Sequence, residues 1–577
     1  MKLMENTAIA KFFWDISKLL EMKDENRFRI RSYQKAAQTV ESYPEDIEDI
    51  YRTKGIKGLE EIPGIGESLS RKIEEIIKRG KPLIMKELYT KTPPGLLEMT
   101  DIRGIGPKFA LQAYKNLNIS SVDQLEKAAR SGKLKTLEGV KDKKIGNIIK
   151  GIDLYRKKSS SFYLGKVLPF AEAIVNDLER SKLAGRLLIC GSLRRMKETI
   201  GDIDILAASP SPKKLTDYFV NLKQVKDVIA KGNTKTSVLL KNGMNCDLRV
   251  VDGRSFGSAA HYFTGSKQHN IKLRTIAGKR GLKLNEYGVF SGNKKIAGKT
   301  EEEVFKAFKL PYIPPEIRED TGELEAAAKN KLPDLVKISD IRGDLHVHSN
   351  YTDGSTTIEE MALSAKKLGY EYIAITDHSA STRVAGGLSI KELLNQMKEI
   401  DKINKKIKGI RILKGSEVDI RPDGSLDFPD EILKQLDIVI ISVHSNFNMD
   451  EAAMTKRIIK ALENKYSTIL AHPTGRLLSS RDPYRVDIEK IIKAAARTGT
   501  ALELNAHPER LDLNDVHCKL AKQNGVMIAI NTDSHAPVHL EYMRYGIGTA
   551  GRGWIEKKDV LNCLWLKMLL RGLNGRR

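Results

Sequence analysis

Residues 190–206 read CGSLRRMKETIGDIDIL, a set of side chains suited to phosphate chemistry. Asp202 and Asp204 stand two apart in an apolar run, so on a strand both carboxylates project from one face. Two adjacent carboxylates repel each other unless cations neutralise them, and a pair of divalent metal ions would do so. Just upstream, Gly191, Ser192, Arg194 and Arg195 offer a turn and donors for a phosphate. In-line phosphoryl transfer calls for a further carboxylate on a neighbouring strand, and Asp247 in CDLRVV is placed to supply it. The pattern points to metal-dependent nucleotidyl transfer, with Arg194 the better candidate of the two arginines for a surface salt bridge.

A second constellation lies further on, where nine of the 11 histidines follow residue 340. DLHVHSNYTDGS puts His346 and His348 on one strand face, with Asp353 in the following loop. His378, Glu417, His444, His472, Asp533 and His535 end successive apolar runs. Strand ends of a β/α barrel converge at one mouth, so these groups are expected to meet there. Imidazole with carboxylate suits zinc, manganese or iron, and the expected reaction is attack of water on a phosphate ester. His507, His517 and His539 fall outside this pattern and are not expected to be ligands. Arg383 and Arg476, close to the motif loops, are candidates for holding a substrate phosphate.

The elements that must position these groups change character along the chain. Helical spacing dominates residues 7–150, where LEEIPGIGESLSRKIEEII (59–77) resembles LEMTDIRGIGPKFALQAY (97–114), with a weaker third copy at 134–152. In the first two copies Gly64–Gly66 and Gly104–Gly106 form a Gly-Ile-Gly turn before a new helix, which lets a backbone and a helix N-terminus approach a DNA phosphate. Residues 160–250 hold β-rich runs that predict a mixed sheet carrying the aspartates, and prolines at 310–317 close the next unit. Residues 319–340 are polar and Ala/Lys-rich and read as a linker. From 341 on, strands alternate with helices, which predicts a parallel sheet or barrel.

The formal charge is +24, and its distribution is uneven: residues 101–300 contain 39 Lys and Arg against 17 Asp and Glu. A basic block around a phosphate-chemistry site predicts a polyanionic partner. Four scattered cysteines exclude a disulfide scaffold and a Cys-rich zinc site. With no signal-like or membrane-length apolar run, the expectation is no membrane partner and a reducing, cytoplasmic setting.

GSLRR, GDIDIL, CDLRVV and YFTGS, in that order, closely resemble the family X DNA polymerases over residues 7 to about 318. The histidine set resembles the PHP (polymerase and histidinol phosphatase) domain over residues 341 to about 570. The implied fold is multidomain α+β. It comprises a helical lyase-like helix-hairpin-helix domain (1–95), a fingers-like one (96–155), a nucleotidyltransferase palm with a mixed β-sheet (156–252) and an α+β thumb (253–318). A linker (319–340) leads to a distorted, TIM-like α/β barrel, the PHP domain (341–577).

By this resemblance Asp202, Asp204 and Asp247 hold catalytic Mg²⁺ or Mn²⁺, and Gly191, Ser192 and Arg195 meet the triphosphate of a deoxynucleotide. Tyr262, Phe263, Thr264 and Gly265 form the turn beside the nucleotide sugar, and Asn270 and Arg274 contact the nascent pair in the minor groove. Lys72 stands where repair members carry the Schiff-base lysine of a sugar-phosphate lyase, with Ser68 where a supporting lysine is usual. Asn245 replaces an arginine found in well-known repair members. The nine residues His346, His348, Asp353, His378, Glu417, His444, His472, Asp533 and His535 hold three ions, whether Zn²⁺, Mn²⁺ or Fe²⁺. The implied activity is gap-filling DNA synthesis for base excision repair on gapped or primer-template DNA, by a monomer, with a 3′–5′ exonuclease or 3′-end phosphoesterase. The alternatives are a nucleotidyltransferase with another acceptor, and a DNA-end binding repair factor whose PHP module hydrolyses small phosphate esters.

Overall fold

The computed structural model describes residues 6–43, 47–62, 64–80, 82–89, 92–102, 104–160, 162–478 and 480–574. The chain forms two compact units, residues 1–160 and 161–577.

The first unit is helical. Helices Asn6–Met22, Glu67–Arg79 and Pro107–Leu117 each bury one apolar face. The Gly-Ile-Gly turns are built alike: Gly64 and Gly104 take φ of 84° and 88°, and the Ile65 and Ile105 amides bond to the carbonyls three residues back at 3.0 and 3.1 Å. That left-handed backbone is what glycine allows at little cost. The third copy makes the same turn, with Gly139 at φ 74° and the Val140 amide 3.2 Å from the Leu137 carbonyl. Ile62, Ile65, Ile102, Ile105 and Val140 all enter one continuous core with Ile9, Phe13 and Ile16. The division expected at 95/96 is therefore not a break in packing, because the isoleucines flanking each turn point into a shared interior. The boundary expected at 155/156 falls inside the helix Asp142–Ser160.

In the second unit a five-stranded sheet runs in the order Arg186–Ile189, Asp202–Ala208, Asn245–Val251, Lys235–Leu240, Val225–Lys231. Asp202–Ala208 and Asn245–Val251 pair in parallel, and the other neighbours are antiparallel. Ile203, Ile205, Cys246 and Leu248 pack under the helices Leu164–Arg180 and Pro212–Val220, while the helix Phe256–Thr264 covers Cys190, Leu206 and Ala208. All four cysteines are buried and free.

Seven parallel strands, from Gly343–Val347 to Ile528–Asn531, follow in sequence order around a barrel. A parallel bridge from Val347 to Ser534 brings the first strand against the segment after the last. The apolar interior is stoppered by Leu569 and Leu573 of the final helix, which pack with Leu345, Tyr372, Leu413 and Ile440.

Residues 319–340 are not a solvated linker. The helix Glu323–Ala328 buries Leu324 and Ala327 against Phe305, Phe308 and Ile313, and Leu332 and Leu335 pack beside Trp554. The Glu323 carboxylate is fully buried, 2.7 Å from His269 Nδ1. Lysines and alanines made this stretch look polar, but its apolar positions share one side. Leu324→Ala is expected to lower stability by about 2–5 kcal/mol, read as a fall in Tm; a solvated linker would show no change.

Candidate functional site

The five-stranded sheet assembles the aspartates through register. Asp204 pairs directly with Asp247 and Asp202 with Asn245 across parallel strands, so the three carboxylates leave one face while their apolar neighbours fill the other. Burial, reinforced by Asp202 and Asp247, pushes the Asp204 carboxyl up to about 6. Lys235, which the sequence reading passed over, lies 2.8 Å from Asp247. Gly191 takes φ 65°, and a Cβ there would sit 2.6 Å from Asp204 Oδ2, so only glycine lets this turn lie against the aspartate. Three carboxylates on one face of a sheet are hard oxygen donors, the type that suits Mg²⁺ or Mn²⁺.

The two arginines of the turn are both held by carboxylates. Arg194 grips Glu301 at 2.6 and 3.1 Å and Thr264 Oγ1 at 2.6 Å. Its side chain is 16% exposed, so the expected surface pair is instead a largely buried one, shared with the fully buried Arg318. Arg195 donates from Nε to Glu319 at 2.9 Å and from Nη1 to the Thr264 carbonyl. Among the described residues Nη2 has no protein acceptor.

The turn itself caps the helix Phe256–Thr264, with Gly265 at φ 69°. Tyr262 and Phe263 meet edge to face at 5.1 Å, and the Arg249 guanidinium covers Phe263 at 4.7 Å. Asn270 faces inward. Its Nδ2 donates to the Tyr262 carbonyl at 2.8 Å and its Oδ1 is buried, so it braces the turn; Arg274, one helical turn on, is exposed.

All nine ligand-type residues meet at the barrel mouth. Glu417, buried at the end of the strand Arg411–Asp419, has His346, His348, His378, His444 and His472 nitrogens within 3.7 Å. Asp533 lies 3.2 Å from His348, and Asp353 lies 3.4 and 3.3 Å from His378 and His535. Among the described residues three clusters are close enough to hold an ion: His348, Asp353, His378 and His535; His346, His348 and Asp533; His378, Glu417 and His444. His346 Nε2, both His348 nitrogens and His378 Nδ1 are buried without a hydrogen bond. Buried polar atoms are normally satisfied, so this donor set fits metal ions. Burial opposes the charge on His378, but Glu417 and Asp353 outweigh it and lift its pKa to about 10. His472 and Asp533 hold left-handed backbone at φ 28° and 53°, the kind of strain that collects at functional sites.

Several supports were not foreseen. Glu503, fully buried, lies 2.8 Å from His346 Nδ1 and accepts the His472 amide at 2.7 Å. Asp377 accepts the Ser349 amide, Thr352 Oγ1 and Gln396 Nε2, fixing the loop that carries Asp353. A lone charge inside the apolar run ALELNAH was the available signal for Glu503. His507 and His539 stand beside the cluster, with the His535 amide donating to His539 Nδ1 at 3.3 Å. Arg476 is largely tied to its neighbours: Nε donates to the Arg510 carbonyl, and Nη2 donates to the Leu511 carbonyl and to Glu198, 2.7 Å away on the segment before the five-stranded sheet's Asp202. Arg383 remains exposed in the loop after His378.

In the helical unit Lys72 lies in a cleft of about 500 Å³ with Arg29, Tyr33, Gly64, Gly66 and Ser68. Its Nζ donates to Ser68 at 3.1 Å, and burial lowers its pKa. Ideal Cβ atoms at Gly66 and Gly106 would meet nothing within 4 Å, so protein packing does not demand glycine there. Bare backbone at a helix start is what a close phosphate approach needs.

Two outcomes follow from this geometry. Because a raised folded-state pKa means the folded metal-free protein keeps the Asp204 proton, stability from this group falls as pH rises from 3.8 through about 6. Carboxyl NMR of the metal-free protein should show that midpoint, moved down in Asp202→Asn. Glu503→Ala should weaken metal retention about 10–100-fold, measured as metal content after dialysis, because His346 loses its orienting partner.

Residues 4–82 match the helix-hairpin-helix domain and 96–153 a SAM-like helix-hairpin-helix tandem. Residues 259–319 match the DNA polymerase beta thumb and 344–507 the PHP domain. The chain is 38% identical over 569 residues, 98% of each chain, to the DNA polymerase/3′-5′ exonuclease PolX of Bacillus subtilis (strain 168). It is also similar to probable phosphatases of Thermoanaerobacter sp. (strain X514), 36% identical over 38% of this chain and 89% of the relative, and of Syntrophotalea carbinolica, 32% identical over 38% and 90%. With near full-length similarity and both acid-rich centres in place, the chain belongs to the PolX family of DNA polymerase/3′-5′ exonucleases.

Proposed function

We propose that this protein fills short gaps in DNA during base excision repair by adding deoxynucleotides to a primer end, and that its barrel trims 3′ ends. The observation that carries this is the pairing of two different acid-rich centres in one chain: three aspartates on neighbouring parallel strands, and nine histidine and carboxylate side chains that include Glu417 at their centre. Mg²⁺ or Mn²⁺ on Asp202, Asp204 and Asp247 would neutralise charge on the attacking and leaving oxygens. Arg195, through its remaining Nη2, and Ser192 hold the triphosphate. The Tyr262–Gly265 turn, braced by Asn270, sets the floor under the nucleotide sugar, and exposed Arg274 reaches the nascent pair. Backbone amides around Gly64, Gly66, Gly104 and Gly106 take flanking DNA phosphates, and the basic block of residues 101–300 supplies the attraction.

At the barrel mouth Zn²⁺, Mn²⁺ or Fe²⁺, three ions in all, would polarise the phosphate ester and its attacking water. The chain's own part is to fix the ligands: Glu503 orients His346, and Asp377 holds the Asp353 loop. Among the described residues no helix is long and apolar enough to cross a membrane. The reading places the protein in the cytoplasm as a monomer, where the four buried thiols stay reduced.

A gel assay on gapped DNA, with and without nucleotides and Mn²⁺, tests both centres. Asp202→Ala with Asp204→Ala should abolish extension and leave 3′ digestion; His346→Ala with His348→Ala should do the reverse. Extension surviving the first pair would sink the polymerase site. A small phosphate ester digested in preference to a 3′ DNA end would favour the phosphatase alternative.

A second reading is carried by the Lys72 cleft. An amine with a lowered pKa beside Gly64 and Gly66 can attack a sugar aldehyde at a DNA end, forming an imine with loss of water. Borohydride trapping on incised abasic DNA should crosslink the native chain and not Lys72→Ala.

A further inference from the structure

The barrel reaches the nucleotide turn of the five-stranded sheet through one carboxylate. Glu319 Oε1 accepts Arg195 Nε at 2.9 Å and Arg552 Nη1 at 2.8 Å. Arg552 ends the barrel helix Met543–Arg552, and the same Nη1 lies 3.1 Å from the Arg195 carbonyl. Its Nη2 is anchored on Asp515 at 2.7 Å, at the start of the outer helix Asp515–Gln523. The three side chains are 11%, 19% and 10% exposed in the order Arg195, Glu319, Arg552, so solvent competes little for these bonds. Burial works against the Glu319 charge, and Arg195 and Arg552 overcome it, holding the carboxyl below its ordinary range.

The approach is built into the helix. A Cβ on Gly548 would lie 2.5 Å from Met196 Cε, next to Arg195, and one on Gly551 would lie 3.3 Å from Glu316 Cγ. The remaining bond of Arg195, to the Thr264 carbonyl, ties it to the sugar-side turn. Two of its three nitrogens are thus fixed and Nη2 is left over. A guanidinium held by two partners presents its third nitrogen in one direction, which is the preorganisation a phosphate contact needs.

We propose that the barrel completes the nucleotide site: Glu319 and Arg552 are positioning residues that aim Arg195 at the incoming triphosphate. This rests on Arg195 being a triphosphate contact, and the experiment separates the two claims. Steady-state primer extension on gapped DNA is measured with the full chain, varying one deoxynucleotide, for Arg195→Ala, Glu319→Gln and Arg552→Ala. Arg544→Ala is the control, since it breaks another ion pair between this barrel helix and the palm side, to Glu172 at 3.1 Å, away from Arg195. Each variant's Tm and 3′ digestion report folding.

Glu319→Gln and Arg552→Ala should raise KM for the nucleotide about tenfold with kcat within about twofold, as loss of a charge-assisted bond predicts. Arg195→Ala should raise KM at least as much, and Arg544→Ala should leave it unchanged. If Arg195→Ala raises KM while Glu319→Gln and Arg552→Ala do not, the positioning claim falls and the nucleotide site stands. If Arg195→Ala leaves KM unchanged, the triphosphate reading falls first. A lower KM in Glu319→Gln also overturns the proposal, because Glu319 would then be competing with the triphosphate for Arg195. An equal rise in Arg544→Ala reduces the effect to general docking.

Discussion

Glu417 is a carboxylate with 1% of its side chain exposed, and five imidazoles lie within 3.7 Å of it. An isolated charge at such depth is very costly, so this one has to be matched by its surroundings. Four strand ends of the barrel contribute imidazoles to that match. The parallel strands bring His346, His378, Glu417, His444 and His472 to the same mouth because each run ends there. Glu503 then fixes His346 from beneath, and its other oxygen holds the His472 amide. The apolar barrel interior, stoppered by Leu569 and Leu573, keeps this polar cluster at one end.

The five-stranded sheet faces a smaller version of the same difficulty. Asp202, Asp204 and Asp247 crowd one face, and Lys235, paired with Asp247, offsets part of that charge together with Arg249. The aspartates stay near the starts of their two central strands, where Asp202 is exposed, while Ile203, Ile205 and Cys246 are fully buried behind them. The carboxylates are held apart from the core by strand alternation, and the glycine turn at Gly191 lies directly on Asp204.

Arginines join the palm side to the barrel. Arg476 reaches Glu198, Arg544 reaches Glu172, and Arg552 shares Glu319 with Arg195. Leu511 and Tyr545 of the barrel pack into the core under the five-stranded sheet, and Gly165 lies against Pro508. The segment 319–340 packs against both sides instead of spanning them loosely, which makes the aspartate-bearing sheet and the histidine-rich barrel parts of one packed body.

Much of this was legible in the residues alone. D-x-D on an apolar strand, the Gly-Ile-Gly turns and the histidines at successive strand ends are local patterns, because strand alternation and turn geometry are set by near neighbours. The nine residues that meet at the barrel mouth and the three aspartates could be named before any fold was known. What only the tertiary structure decided are pairings between distant residues of opposite charge. Arg195 meets Glu319 across 124 positions, Arg552 meets Glu319 across 233, and His346 meets Glu503 across 157. Such pairs leave no period or spacing in the chain. The same reason explains Arg476, whose sequence neighbours suggested a phosphate and whose spatial neighbours, Glu198 and two carbonyls, hold its Nε and Nη2.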